Sequence, residues 1–442
     1  MFFSQLAILM GEVFRRQITG TGGFVFMSFI FFGIRPIYII LENDHSLFNR
    51  LFLIYPDLAQ IHENMLWATL ALLVFKIGSS VISARINVAT QNVNDTTSTE
   101  KANLILVSQK MSVYLLLYQL LTLPLMAYLA AGGRALYGSA LGAFAYDFPT
   151  VMQAGHIFGF VVILERYLQR KDAGDLLRAI VSGLLFLYFT WLMREVSMFR
   201  GFYLAGVMII GIAALDRCLP RVSLIWLILP VIIFQPFFQT LGQTRNLDNE
   251  RLVELGLVEQ TFGDQGVTER YWEFYSGKGD INIFDTFVAA RSSEPNVTPH
   301  LWSWAYAPLH VIPRKLWSGK PERGITQDLS FMNGAPYAPG IAGFFWLDGA
   351  SDWWMLFCMA LLGAVVGYAD CLVLSMQHGY LRACLLGIIA VNAMFLTRFF
   401  LWQALWQTLY AVVPILLMYG FLAPQSTTPP IQEEALDSEK AI

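Results

Sequence analysis

DWWMLFCMALLGAVVGYADCLVL, residues 352–374, decides the class of fold. Its only charges are Asp352 at the start and Asp370 near the end. A helix needs about 20 mostly apolar residues to cross the hydrocarbon core of a bilayer, and in lipid it satisfies its own backbone N–H and C=O groups. The stretch therefore reads as a membrane span. The same test along the chain predicts about ten spans, at 22–41, 64–84, 111–131, 150–165, 178–195, 201–215, 222–241, 352–374, 383–398 and 400–422.

Composition agrees. Of 442 residues, 56% are hydrophobic and 14% charged, whereas soluble domains carry roughly 25% charge. The expected fold is an all-α polytopic membrane protein. The net charge of -3 is uninformative, because in such a protein the placement of charge outweighs its sum. Cys218, Cys358, Cys371 and Cys384 lack CxxC or Cys/His spacing and read as packing or lipid-facing residues. MFFSQLAILMGEVFRR at the start is shorter than a span and carries Glu12, Arg15 and Arg16. It is expected to be an interfacial helix rather than a cleaved signal.

Lys and Arg in short loops mark the cytoplasmic side. With Arg15 and Arg16 inside, alternation also places Arg85, Lys101, Lys110, Arg166, Arg170, Lys171, Arg178, Arg217, Arg221 and Arg382 inside. The chain then divides into an N-terminal bundle (1–243), a large outer loop (244–350), C-terminal spans (351–423) and a cytoplasmic tail (424–442), whose Pro, Ser, Thr and Glu content reads as disordered. The loop TQNVNDTTSTEK at 90–101 has the same solvated character. The outer loop differs, because its aromatic clusters WEFY, LWSWAY and GFFW predict short helices lying against the outer membrane surface. Trp272, Trp302, Trp304, Tyr306 and Trp346 are expected to anchor at the interface as belt residues.

Cations on the outer side run against this pattern. Arg35, Arg194, Arg200, Arg398, Arg314, Lys315 and Lys320 all fall on or near that face. Arg398, between two apolar runs, is the most costly to leave unpaired. Each could snorkel to headgroups or pair with Glu195, Asp285, Glu294 or Asp348. Taken together they predict a phosphate or pyrophosphate site, because guanidinium forks bind phosphate bidentately and stay charged when buried. Lys76, midway along the second span, reads as structurally accommodated. Pro36 directly after Arg35 frees a carbonyl one turn back and kinks the helix. His310, His300, Asp285 and Glu294 are the candidate general bases, and the choice among them stays open. The chain has no Walker lysine loop, HExxH, outer-loop DxD or Gly-rich dinucleotide fingerprint. ATP-driven and metal-dependent chemistry are therefore not expected, and neither a cofactor nor a nucleic-acid partner is.

Four stretches carry a resemblance. VIPRKLWSGKP at 311–321 looks like the IPxxLWPG[KR]P turn of the Wzy-type oligosaccharide repeat-unit polymerases. GAPYAPGIAGFFWLDGASDWWMLFCMALLGAVVGY (334–368), MFRGFYLAGVMIIG (198–211) and NAMFLTR (392–398) are similar to that family's approach to the helix after the large loop, its arginine-started helix and its arginine-ended helix. Ser318 stands where the family usually has proline, and Ala342–Gly343 where many members have Gly-Glu, so no glutamate base is carried over. The resemblance implies a GT-C-like enzyme of the bacterial inner membrane that polymerises oligosaccharides borne on undecaprenyl pyrophosphate into surface polysaccharide. Membrane lipids and a chain-length-regulating co-polymerase are the implied partners. It makes Arg200, Arg398, Arg314 and Lys320, with Lys315, Arg194 and Arg35 in reach, a clamp for the leaving pyrophosphate that works without a metal. An O-antigen ligase and a flippase for a lipid-linked anion are the alternatives.

Overall fold

The computed structural model describes residues 1–14, 18–42, 56–94, 107–132, 142–215, 283–292, 308–309, 340–376, 379–397 and 401–422. They form helices α1 (Phe2–Phe14), α2 (Gly20–Phe29) continued through a π-helical turn (Ile30–Ile34) into α3 (Arg35–Glu42), α4 (Leu58–Asn94), α5 (Gln109–Gly132), α6 (Gly142–Arg170) and α7 (Ala173–Ala213). After these come α8 (Ile283–Ser292), α9 (Gly340–Gly349), α10 (Asp352–Leu374), α11 (Gly379–Leu396) and α12 (Leu401–Leu422). Among the described residues, eight segments are long and apolar enough to cross a membrane: Gly20–Leu41, Leu58–Arg85, Gln109–Ala131, Phe148–Arg170, Ala173–Met193, Asp352–Leu374, Gly379–Leu396 and Ala404–Leu422. Each coincides with an expected span to within a few residues. The expected span at 222–241 lies outside the described residues.

Helix α7 is 41 residues long without a break in its helical pairing, yet it is not a single rod. Gly183 packs on Phe160 and Gly211 on Val161, adjacent residues of α6. A straight helix would hold those two glycines about 42 Å apart. The helix therefore does not run straight between them; of the two segments expected at 178–195 and 201–215, the first coincides with a span, Ala173–Met193, among the described residues.

Burial sorts the spans. In Phe148–Arg170 and Gly379–Leu396, 78% of the most apolar window is buried, against 17% in Gln109–Ala131 and Ala404–Leu422. So α6 and α11 are central, while α5 and α12 turn apolar faces outward, where lipid is as good a solvent as a core. The tightest pair is α4 with α10. A Cβ added at Gly363 would lie 2.0 Å from the Phe75 carbonyl oxygen, and one at Gly78 would lie 2.1 Å from that of Ala360. Only glycine lets these backbones meet, which is how helices associate where apolar burial drives nothing. Asp370 of α10 explains its own place in the quoted stretch. Its carboxylate accepts from the Gly20 and Thr21 amides at 2.6 and 3.0 Å and from the Thr21 hydroxyl at 2.8 Å. It thus answers the unpaired donors and positive dipole end of α2.

Two expectations are corrected. First, α1 stands alongside α4 instead of lying flat at the interface. Gln5 donates to Thr69 Oγ1 at 2.8 Å and Glu12 pairs with Lys76. Both partners sit seven residues apart on each helix, so the two run in the same direction. The pattern on α1 is inside-out for the same reason: Gln5 and Glu12 are buried while Phe3 and Phe14 are exposed. This also resolves Lys76, whose charge meets a buried carboxylate. Gln5 further donates to the carbonyl of Phe32 at 3.3 Å, the acceptor whose i+4 partner is Pro36 and so has no N–H. Second, α8 and α9 do not rest on the outer surface. Residues 283–290 and 340–348 are buried throughout, and Trp346 is a core residue rather than a belt anchor. Helices buried on every side over eight or nine residues sit in an enclosed site, not on a surface.

Candidate functional site

The contacts define two ends of the bundle. At one end, Asp370 meets Gly20 and Ser79's partner Thr21, Arg166 reaches the Val107 carbonyl, and the start of α11 faces Glu165. The described cations expected inside, Arg85, Lys110, Arg166, Arg170, Lys171, Arg178 and Arg382, belong to helix ends on this side. At the other end stand α3, the starts of α4 and α10, and the inserted helices α8 and α9.

This second end holds the candidate site. Ile30–Ile34 is wound as a π-helix, a local widening that is common at functional sites, and Arg35 follows it immediately. The guanidinium reaches α8: Nε donates to Asp285 Oδ2 at 3.0 Å and Nη2 to Oδ1 at 3.4 Å. Both side chains are fully buried. Arg35 also lies 5.6 Å from the Tyr38 ring centroid. Phe32, one turn before Arg35, meets Phe284 and Phe287 edge-on at 6.5 and 5.7 Å. The same Phe32 lines an apolar cavity with Phe24, Ser28, Ala342 and Met359. Phe32 thus touches both the helix that carries Asp285 and a small apolar recess between α2, α4, α9 and α10.

The far end of α8 is anchored by a second arginine, which reading of the sequence missed. Arg291 donates from Nε and Nη2 to the two Asp352 oxygens at 3.1 Å each, from Nη1 to Asn64 Oδ1 at 2.7 Å and from Nη2 to Glu63 at 3.1 Å. Trp67 lies 5.6 Å beneath its guanidinium. The signal that was available is its spacing: a second charge six residues after Asp285, inside an apolar run IFDTFVAARS. Asp348, a proposed partner for an arginine, accepts from the Trp354 indole at 3.1 Å, which ties the end of α9 to α10. Gly340, which opens α9 with φ +68, passes so close to Thr397 that a Cβ would lie 2.5 Å from its carbonyl oxygen.

Of the expected site residues, the structure joins Arg35 and Asp285. Arg194 and Arg200 lie on α7, with side chains outside the described set. Arg398, Arg314, Lys315, Lys320, His300, His310 and Glu294 also lie outside the described residues. His156, which was not singled out, is buried in the interior. Its Nε2 is 2.7 Å from Thr122 Oγ1, and its carbonyl accepts from Gln119. Among the described residues no cluster of three or more His, Cys, Asp or Glu is placed to hold a metal ion.

Comparison of the chain with family models, curated proteins and solved structures returns no match.

Proposed function

We propose that the protein is a GT-C-like glycosyltransferase with ten spans that polymerises undecaprenyl-pyrophosphate-linked repeat units into surface polysaccharide at the outer face of a bacterial inner membrane. One observation carries the reading: a helix of the large loop enters the bundle and sets Asp285 against Arg35 at one end. A cationic fork and a carboxylate are the two groups such a transfer asks for, and their meeting supports the reading. The cation-rich opposite end is then cytoplasmic by the distribution of Lys and Arg, with the C-terminal end of α12 on that side, whereas α1, which runs with α4, begins toward the site end.

In the reaction, an acceptor hydroxyl of one repeat unit attacks the anomeric carbon of the growing chain. The bond from that carbon to the pyrophosphate oxygen breaks, and the leaving group keeps the electron pair. Arginines stabilise the added negative charge; Arg35 joins Arg200, Arg398, Arg314, Lys315, Lys320 and Arg194 in that role. The hydroxyl proton passes to Asp285, Glu294, His300 or His310.

Deletion of the gene followed by glycan analysis tests this. Loss of a polymerase leaves single repeat units and no long-chain ladder. Polymer stranded on its lipid carrier would mean a ligase instead, and absence of any outer glycan would mean a flippase. Arg200→Ala and Arg398→Ala are expected to abolish the ladder at normal protein level, with Lys a poor substitute at either position because it lacks the fork.

A further inference from the structure

We propose that Asp285 is a built-in placeholder for a phosphate-type anion: it occupies the guanidinium fork of Arg35 at rest and is displaced when that anion binds. The inference deepens the reading above and rests on it only for the anionic class of the ligand.

The geometry supports exchange over permanent pairing. A carboxylate presents two oxygens to a guanidinium much as a phosphate does, and the Arg35–Asp285 contacts at 3.0 and 3.4 Å use that same fork. Simple opening would strand a charge at a site with no exposed side-chain surface, at heavy desolvation cost. Replacing one anion by another leaves Arg35 compensated throughout, so only an anionic ligand opens the pair readily. Helix α8, which carries Asp285, has ten residues, too few to cross a bilayer. At its other end the Arg291 cluster reaches the surface, where Glu63 is 58% exposed. A ligand that binds the displaced state better than the resting one shifts the population by that difference in affinity. Displacement also releases the Asp285 carboxylate beside the newly bound anion.

The test uses the full chain in nanodiscs. In neutral phosphatidylcholine, Asp285→Asn is expected to bind inorganic pyrophosphate on the order of tenfold tighter than the unaltered protein, because the competing carboxylate is gone. Adding Arg35→Gln should abolish that gain. In discs containing phosphatidic acid and no soluble anion, thermal stabilisation of Asp285→Asn would identify a lipid phosphate as a source. Stabilisation by pyrophosphate in neutral discs would identify a freely arriving one. Equal pyrophosphate affinity in Asp285→Asn and the unaltered protein overturns the proposal, as does a gain that survives Arg35→Gln. If Asp285→Asn does not fold, hydrogen exchange of the unaltered protein decides. Saturating pyrophosphate should lower protection across 283–292, and unchanged protection there overturns it. Because no readout depends on glycan synthesis, a positive result alongside a normal ladder in the gene deletion would sink the polymerase reading and leave the anion site standing.

Discussion

Two arginine–aspartate pairs are sealed at opposite ends of this bundle, and they do different work. Arg166 and Asp175 are nine residues apart, on either side of the α6–α7 turn, with side chains 3% and 1% exposed. Every partner there has a local task. Arg166 also holds the Val107 carbonyl at 2.6 Å, Arg178 leans on Asp175 from the next turn of α7, and Asp172 caps the helix through the Asp175 amide. Lys171, with φ 55, makes the turn itself. Arg35 and Asp285 are 250 residues apart and equally buried, and they bind a loop helix to the first span. The lesson is that burial and geometry alone do not separate a structural clasp from a candidate site. What differs is that one pair closes the turn between neighbouring helices, while the other joins segments far apart in the chain.

The comparison can be broken most directly by removing one partner at a time. Arg35→Met or Asp285→Leu alone should lower stability by about 3–5 kcal/mol, because each strands a buried charge. The pair Arg35→Met with Asp285→Leu should recover most of that in thermal unfolding yet yield no glycan ladder. At the other end, Arg166→Met with Asp175→Leu should recover both stability and ladder. Equal ladders from the two double variants would show that the pairs are equivalent clasps. A packing control sharpens the contrast: Gly363→Ala forces α10 off the Phe75 carbonyl and should cost about 1–3 kcal/mol, with the ladder falling only as protein level falls. Gln5→Leu leaves the buried Phe32 carbonyl unanswered, for a loss of about 1–2 kcal/mol in the same unfolding assay, and it should loosen the π-turn that presents Arg35. The smallest effect is expected at Glu63→Ala. Its carboxylate is 58% exposed in the pair with Arg291, and such pairs contribute about 1 kcal/mol or less. Faster hydrogen exchange confined to the C-terminal turn of α8 is the measurement for it.

How much of this was legible beforehand follows from the range of each signal. The spans were, because hydropathy over about 20 residues is local and lipid enforces it. Pro36 was legible as the cause of an orphaned carbonyl, but Gln5 as its remedy was not, since nothing near either residue names the other. Lys76 was read as accommodated, and Glu12, 64 residues earlier, is what accommodates it. The burial of α8 and α9 went unseen because a short, mostly apolar run is as compatible with an interfacial aromatic patch as with an enclosed helix. Asp285 was one of four acids that an outer arginine could pair with. The 250-residue separation gave no reason to choose Arg35 for it.

Length and the spacing of apolar and charged residues therefore determine by themselves that this is a multispanning helical protein with cations gathered toward one end. These are one-dimensional quantities, set by bilayer thickness and the cost of charge in hydrocarbon. Only the tertiary structure decided which buried charges meet, that α1 stands upright against α4, and that a piece of the large loop sits inside the bundle. Those outcomes depend on pairing between distant segments, where a single carboxylate brought to a single guanidinium outweighs the preferences of either neighbourhood.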